Sequence, residues 1–146
     1  ATLAPYLPVR AREMVATIKV IPFAVPGSVL EVAETLARQN GGPLLSVHPF
    51  QPLKVGLVLT ELPGLKEKVM ERDVGPAGIV RAGGAIDHFG MPVDPGNLIC
   101  LGHIDGTPSL VLPGCARSPK LNGIDWVLQR LFAGLSVGPA DIMGMG

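Results

Sequence analysis

Lys54 to Leu62 reads "KVGLVLTEL", a run of apolar and β-branched residues between two turn signals. It shows no alternation of apolar and polar positions. That is the pattern of a strand covered on both faces, as in a parallel sheet. Pro63-Gly64 then turns the chain into the helical "LKEKVMER", and "DVGPAGIVRAGG" reads as another helix, with Asp73 near its start and Gly83-Gly84 as its stop. "AIDHFG" is a strand. "NLICLGHI" and "TPSLVLP" are strands either side of Asp105-Gly106, a strong hairpin signal. The last helix, "SPKLNGIDWVLQRLFAGL", is expected to start with Ser118 as N-cap and Pro119 at its first position, and to stop at Gly134. Leu121, Ile124, Leu128 and Leu131 then share one face. Alternating strands and helices predict an α/β fold.

Upstream, residues 13–22, "EMVATIKVIP", read as a strand. "VPGSVLEVAETLARQNGG" reads as a helix with Ser28 and Glu31 as a capping box and Gly41-Gly42 as its end, and "PLLSVH" as a short strand. The predicted organisation is a small β-α-β extension over residues 1–50 and an α/β domain over 51–146. One junction lacks a linker. The helix ending at Arg72 abuts the one beginning at Asp73, and fusing them puts Gly75-Pro76 inside a helix at a cost of about 3 kcal/mol or more. Residues are therefore expected to be missing near 72–73.

The chain has 146 residues, 47% apolar and 16% charged, with 12 basic and 12 acidic side chains. This is one core of ordinary size, not a disordered chain. The 19 glycines and 15 prolines fall singly between apolar segments, as turns do. There is no basic block interleaved with aromatics, which speaks against a nucleic-acid partner. No apolar run reaches the roughly 20 residues that span a bilayer, so no membrane partner is expected. Two cysteines, Cys100 and Cys115, do not suggest a disulfide-stapled fold, and a cytoplasmic location is expected.

The most polar turn is "VLPGCARSPK", Val111 to Lys120. A helix start offers unpaired N–H groups and a partial positive charge; Gly114 allows close approach, Arg117 presents a planar fork, and Lys120 adds a cation. Anion binding and a plain strand-to-helix turn with solvated charges both fit. Cys115 is an ordinary turn cysteine or a reactive thiol, Asp94 a turn cap or a hydrogen-bond acceptor for a ligand, and Asp73 a helix cap or a site residue. Glu61, directly after an apolar strand, is the carboxylate best placed for a ligand. Cys100 and His103 stand three apart on a strand and face opposite ways, so they cannot share a metal ion.

"HFGMPVDPGN" followed by "LGHIDGTPSLVLPGCARSP" resembles the molybdopterin-binding domain of molybdenum-cofactor biosynthesis proteins. "LPGCARSPKLNGIDWVLQRLFAGL" and "MVATIKVIPFAVPG" are similar to the bacterial branch in which that domain precedes a molybdopterin nucleotidyltransferase. "ERDVGPAG" with the following "AGG", and "VGLVLTELPG", resemble the family's helix and its first strand and loop. The resemblance implies a three-layer α/β/α sandwich with a mostly parallel sheet and a C-terminal β-hairpin, beside a small N-terminal α+β extension. It implies a bound molybdopterin or molybdenum cofactor, with molybdate or Mg2+ as further ligands. Carried across, Pro92, Asp94, Pro95, Gly96 and Asn97 form one wall of the site, and Pro113, Gly114, Cys115, Arg117 and Ser118 another. Thr60 and Glu61 stand where the first strand meets the ligand, and Asp73 matches the "RDV" aspartate.

The function so implied is to present or sense the pterin for a nucleotidyltransferase or molybdate-insertion step. It would be part of a molybdenum-cofactor transferase, with a nucleotidyltransferase domain, other cofactor-biosynthesis proteins or a second copy as partner. The family's middle section, ending in a glycine-rich pocket loop, is absent after Arg72. Cys115-Ala116-Arg117 replaces the usual Asn/Ser-Pro. The glycine-rich fingerprint of the nucleotidyltransferase is missing, so the chain does not transfer a nucleotide by itself. The similar bacterial proteins continue past "DIMGMG". A docking or dimerisation module without a pocket is the alternative function.

Overall fold

The computed structural model describes residues 2–19, 21–39, 41–59, 63, 64, 66 and 70–146. The chain divides into two compact units, Ala1–Pro49 and Phe50–Gly146. Among the described residues the first contains one helix, α1 (Gly27–Gln39), which buries none of its residues. It also has an isolated antiparallel bridge between Thr2 and Ala16. The expected strands over 13–22 and 43–48 do not form among the described residues. β-Branched composition marks a segment that fits a half-buried pleated surface, and among its described residues this unit buries none to supply one. Helix α1 begins at Gly27, so Ser28 lies inside it instead of capping it.

The second unit is built on three antiparallel strands in the order β1-β2-β3: β1 (Ala85–Phe89), β2 (Cys100–Ile104) and β3 (Thr107–Val111). This overturns the expected three-layer sandwich with a mostly parallel sheet. Both connections lead directly back to the neighbouring strand, and neither is a crossover. "KVGLVLTEL" is the source of the error. Residues 54–59 form no strand, and Val55, Leu57, Val58 and Leu59 are 69–86% exposed; Thr60, Glu61 and Leu62 lie outside the described residues. An apolar run of this type needs neighbours on both edges and cover on both faces, and the antiparallel sheet supplies no parallel neighbour.

Local turn chemistry accounts for the rest. Asp105 and Gly106, with φ of 48° and 73°, make the tight hairpin turn between β2 and β3. Before β1, Met70–Val74 form a π-turn that continues as α2 (Gly75–Arg81). This arrangement puts Pro76 in the first turn of α2, a position that proline tolerates. Two helix ends carry the Schellman pattern. Gly83 and Gly84 donate to Val80 and Ile79 at 3.0 Å each, and Gly134 and Leu135 donate to Leu131 and Arg130 at 3.0 Å each.

The helix after β3 starts later than expected. It is α3 (Gly123–Phe132), capped by Asn122. Asn122 Oδ1 accepts the Ile124 N–H at 2.9 Å and Asp125 Oδ2 accepts the Asn122 N–H at 2.8 Å, a reciprocal box that Ser118-Pro119 cannot match. Ser118 ends a short 3-10 turn (Gly114–Arg117), and Leu121 is exposed instead of sharing the core face. The core comprises Met91, Ile99, Leu101, Ile124, Val127 and Ile142, the last from α4 (Pro139–Met143). Strand alternation puts Cys100, Gly102 and Ile104 on the other face of β2, where Ile79 of α2 lies beside Ile104 at Gly84. Asp141 caps α4 by accepting the Gly138 N–H at 2.9 Å and stands 3.8 Å from Arg130 of α3.

Candidate binding site at one end of the sheet

The strand register decides which loops are neighbours. Phe89, at the end of β1, pairs with Cys100, and Cys100 pairs with Val111 at the end of β3. The turn Gly90–Ile99 and the loop that follows Val111 therefore leave the same end of the sheet. These segments carry ten of the thirteen residues singled out from the sequence.

The first is held by its own backbone. Gly90 donates to Ile99 at 2.8 Å, Met91 to Asn97 at 3.0 Å and Val93 to Met91 at 2.8 Å. Asp94-Pro95 is a cis peptide. Pro92, Asp94 and Asn97 are exposed, Pro95 is half-buried and Gly96 is buried. Gly96 has φ of 117°, and a Cβ there would stand 3.0 Å from the Gly123 nitrogen. The turn thus lies directly on the first residue of α3, whose N–H donates to Pro95 O at 3.3 Å.

In the second, Pro113 is buried, Gly114, Cys115 and Ser118 are half-buried and Arg117 is exposed. Ala116 donates to Pro113 at 2.8 Å and Ser118 to Cys115 at 2.9 Å, and Ala116 packs against the core cluster. Ser118 Oγ accepts the Lys120 N–H at 3.2 Å. The Gly114 N–H donates to the carboxylate of Glu71, in the π-turn.

Glu71 is the residue that sequence reasoning missed. It is only 8% exposed, and its partner is 43 residues away. Its neighbour Asp73 is exposed, and the cap of α2 is Val74, with no side-chain bond, so Asp73 does not cap that helix. Thr60 and Glu61 lie outside the described residues.

The N–H groups at the start of α3 are taken by Asn122, Asp125 and Pro95. An anion at this end of the sheet would be held by side chains, and the exposed Arg117 and Lys120 have the charge for it. Exposed Asp94 offers carboxylate oxygens to N–H donors of a flat heterocycle. Among the described residues no cluster of three His, Cys, Asp or Glu side chains could hold a metal ion.

Elsewhere, His103 Nδ1 stands 3.0 Å from both Asp87 carboxylate oxygens on the sheet surface. Cys100 is fully buried, and that burial, with the Asp87 charge second, pushes its thiol pKa up. His88 Nε2 is buried without a hydrogen-bond partner among the described residues. None of the thirteen singled-out residues lines either of two surface hollows. One, of about 400 Å³, is lined by Ala37, Arg38, Gly42, Pro43 and Leu44; the other, of about 300 Å³, by Phe50, Asp125, Leu128, Gln129 and Phe132. Among the described residues no helix is long and apolar enough to cross a membrane.

No family model, curated protein or solved structure matches the chain.

Proposed function

We propose that the Phe50–Gly146 unit binds molybdopterin, a pterin carrying a dithiolene and a phosphate, between the Gly90–Ile99 turn and the Pro113–Ser118 loop. The observation that carries this reading is the strand register, which brings to one sheet end the two loops in which the resemblance is most specific. Arg117, with Lys120 beside it, supplies the phosphate anchor, and Asp94 accepts from the pterin N–H groups. The role is to present or sense the cofactor for a nucleotidyltransferase or molybdate-insertion step in cytoplasmic cofactor assembly. The reading rests on these loop residues and not on the parallel fold that the resemblance implied.

An anaerobic fluorescence titration with molybdopterin, using wild type and Arg117→Ala, tests it. Saturable binding at micromolar concentration or tighter, weakened at least tenfold in the variant, is expected. Lack of binding by a correctly folded wild-type chain would remove the reading.

A docking role has its own support in the exposed Val55, Leu57, Val58 and Leu59, a run with strand propensity and no strand pairing. A concentration-dependent mass in solution, abolished by Val58→Lys, is the outcome that reading expects.

A further inference from the structure

We infer that Glu71 is the positioning residue of the Pro113–Ser118 loop, and through it of the binding site proposed above. Three observations carry this. The side chain is buried, and a carboxylate is kept out of water only where hydrogen bonds compensate it. Its described partner is a backbone donor of the loop, the Gly114 N–H, at the first residue of the 3-10 turn. The backbone bonds from Ala116 to Pro113 and from Ser118 to Cys115 are local; they shape the turn and are not what ties it to another element.

Glu71 supplies that tie from 43 residues away, out of a π-turn, a form of helix found often at functional sites. Because Gly114 is joined covalently to Cys115 and lies three residues from Arg117, movement at Gly114 moves both. Glu71 therefore sets where the loop backbone carries Cys115 and Arg117 relative to the Gly90–Ile99 turn. The clamp itself is independent of any ligand; its effect on affinity rests on the pterin reading.

Cys115 reports on the clamp directly. It is half-buried in the loop, whereas Cys100 is fully buried in β2 and serves as an internal control. The full chain is reacted with an aromatic disulfide reagent under native conditions as wild type, Glu71→Gln, Glu71→Ala and Glu71→Asp. Glutamine keeps an acceptor oxygen at the same reach; alanine has none, and aspartate is one methylene short.

Expected are a Cys115 rate at least fivefold above wild type for E71A and E71D, a rate within twofold for E71Q, and a Cys100 that stays unreacted. An unchanged Cys115 rate in folded E71A or E71D overturns the clamp, as does an E71Q rate equal to that of E71A. Should E71A fail to fold, E71D decides. In the pterin titration, E71A is expected to bind at least tenfold more weakly and E71Q within threefold of wild type. A clamp seen in the thiol rates with no pterin binding by wild type would sink the ligand reading alone. Pterin binding with unaltered thiol rates would sink the clamp alone.

Discussion

Gly102 in the centre of β2 is the position where the sheet leaves no room for a side chain. A Cβ added there would fall on the Ala85 carbonyl oxygen of β1, with Ala85 C at 3.3 Å and Ile86 Cα at 3.4 Å. All three atoms are backbone, so no rotamer change relieves the clash and the two strands must part. Overpacking typically costs about 1–3 kcal/mol, and the backbone character of the obstacle puts Gly102→Ala at the upper end, about 3 kcal/mol. In a unit of this size each kcal/mol moves the melting temperature by about 4–8 °C, so a fall of about 12–24 °C is expected. Trp126 is the single tryptophan and packs against the core cluster, so its fluorescence in a urea titration follows the unit. Two glycines separate space from backbone conformation. A Cβ added at Gly78, inside α2, would meet nothing beyond the helix's own backbone, and Gly78→Ala should gain about 0.8–1 kcal/mol from helix propensity. Gly106 is equally open but has φ of 73°, and Gly106→Ala should lose about 1–2 kcal/mol from the left-handed conformation alone. A cost below about 0.5 kcal/mol for Gly102→Ala would refute the close β1–β2 approach on which the argument rests.

Asn122→Ala removes the acceptor for the Ile124 N–H at a buried cap, and should cost about 1–2 kcal/mol in the same urea assay. A loss within error would mean that α3 starts elsewhere. Cys100 predicts a pH dependence. Its thiol pKa is raised above the ordinary 9.0 by burial first and by Asp87 second. The unfolded chain therefore gives up this proton before the folded one does. This contribution to stability is fully present below pH 9 and is lost as pH rises through the folded pKa. Urea midpoints measured from pH 8 to 10.5 should fall, and Cys100→Ala should flatten the part of the slope that belongs to this group. A slope identical in wild type and variant would remove the assignment.

What was legible in the sequence divides by the range of the interaction. Asp105-Gly106, Gly83-Gly84 and Gly134 are signals contained within a few residues. Positive φ is available to glycine at little cost, so those turns and helix ends stand where they were placed. Strand β1 was also legible, since it lies between the Gly84 stop and the Met91-Pro92 turn. "KVGLVLTEL" and "EMVATIKVIP" carry an equally strong pattern, but strand propensity is a statement about neighbours, and the described residues of these segments have none in the sheet. The start of α3 was legible in Asn122-x-x-Asp125 and was obscured by Ser118-Pro119, a plausible start whose orphan donors would have had no comparable box.

The same division applies to the site. Proline and glycine marked both loops from the sequence, clustered cations marked the second, and short strands with a two-residue hairpin brought them to one sheet end. Glu71 carried no such mark, because a glutamate in "VMERDV" reads as one more solvated helical charge. What distinguishes it is a hydrogen bond across 43 residues, which depends on the π-turn that directs its carboxylate toward Gly114. A clamp of this kind follows from the register of two elements, so it can be found only once both are placed. Its removal should therefore disturb the Pro113–Ser118 loop while leaving the Gly90–Ile99 turn, which is held by its own backbone bonds and by Gly123, in position.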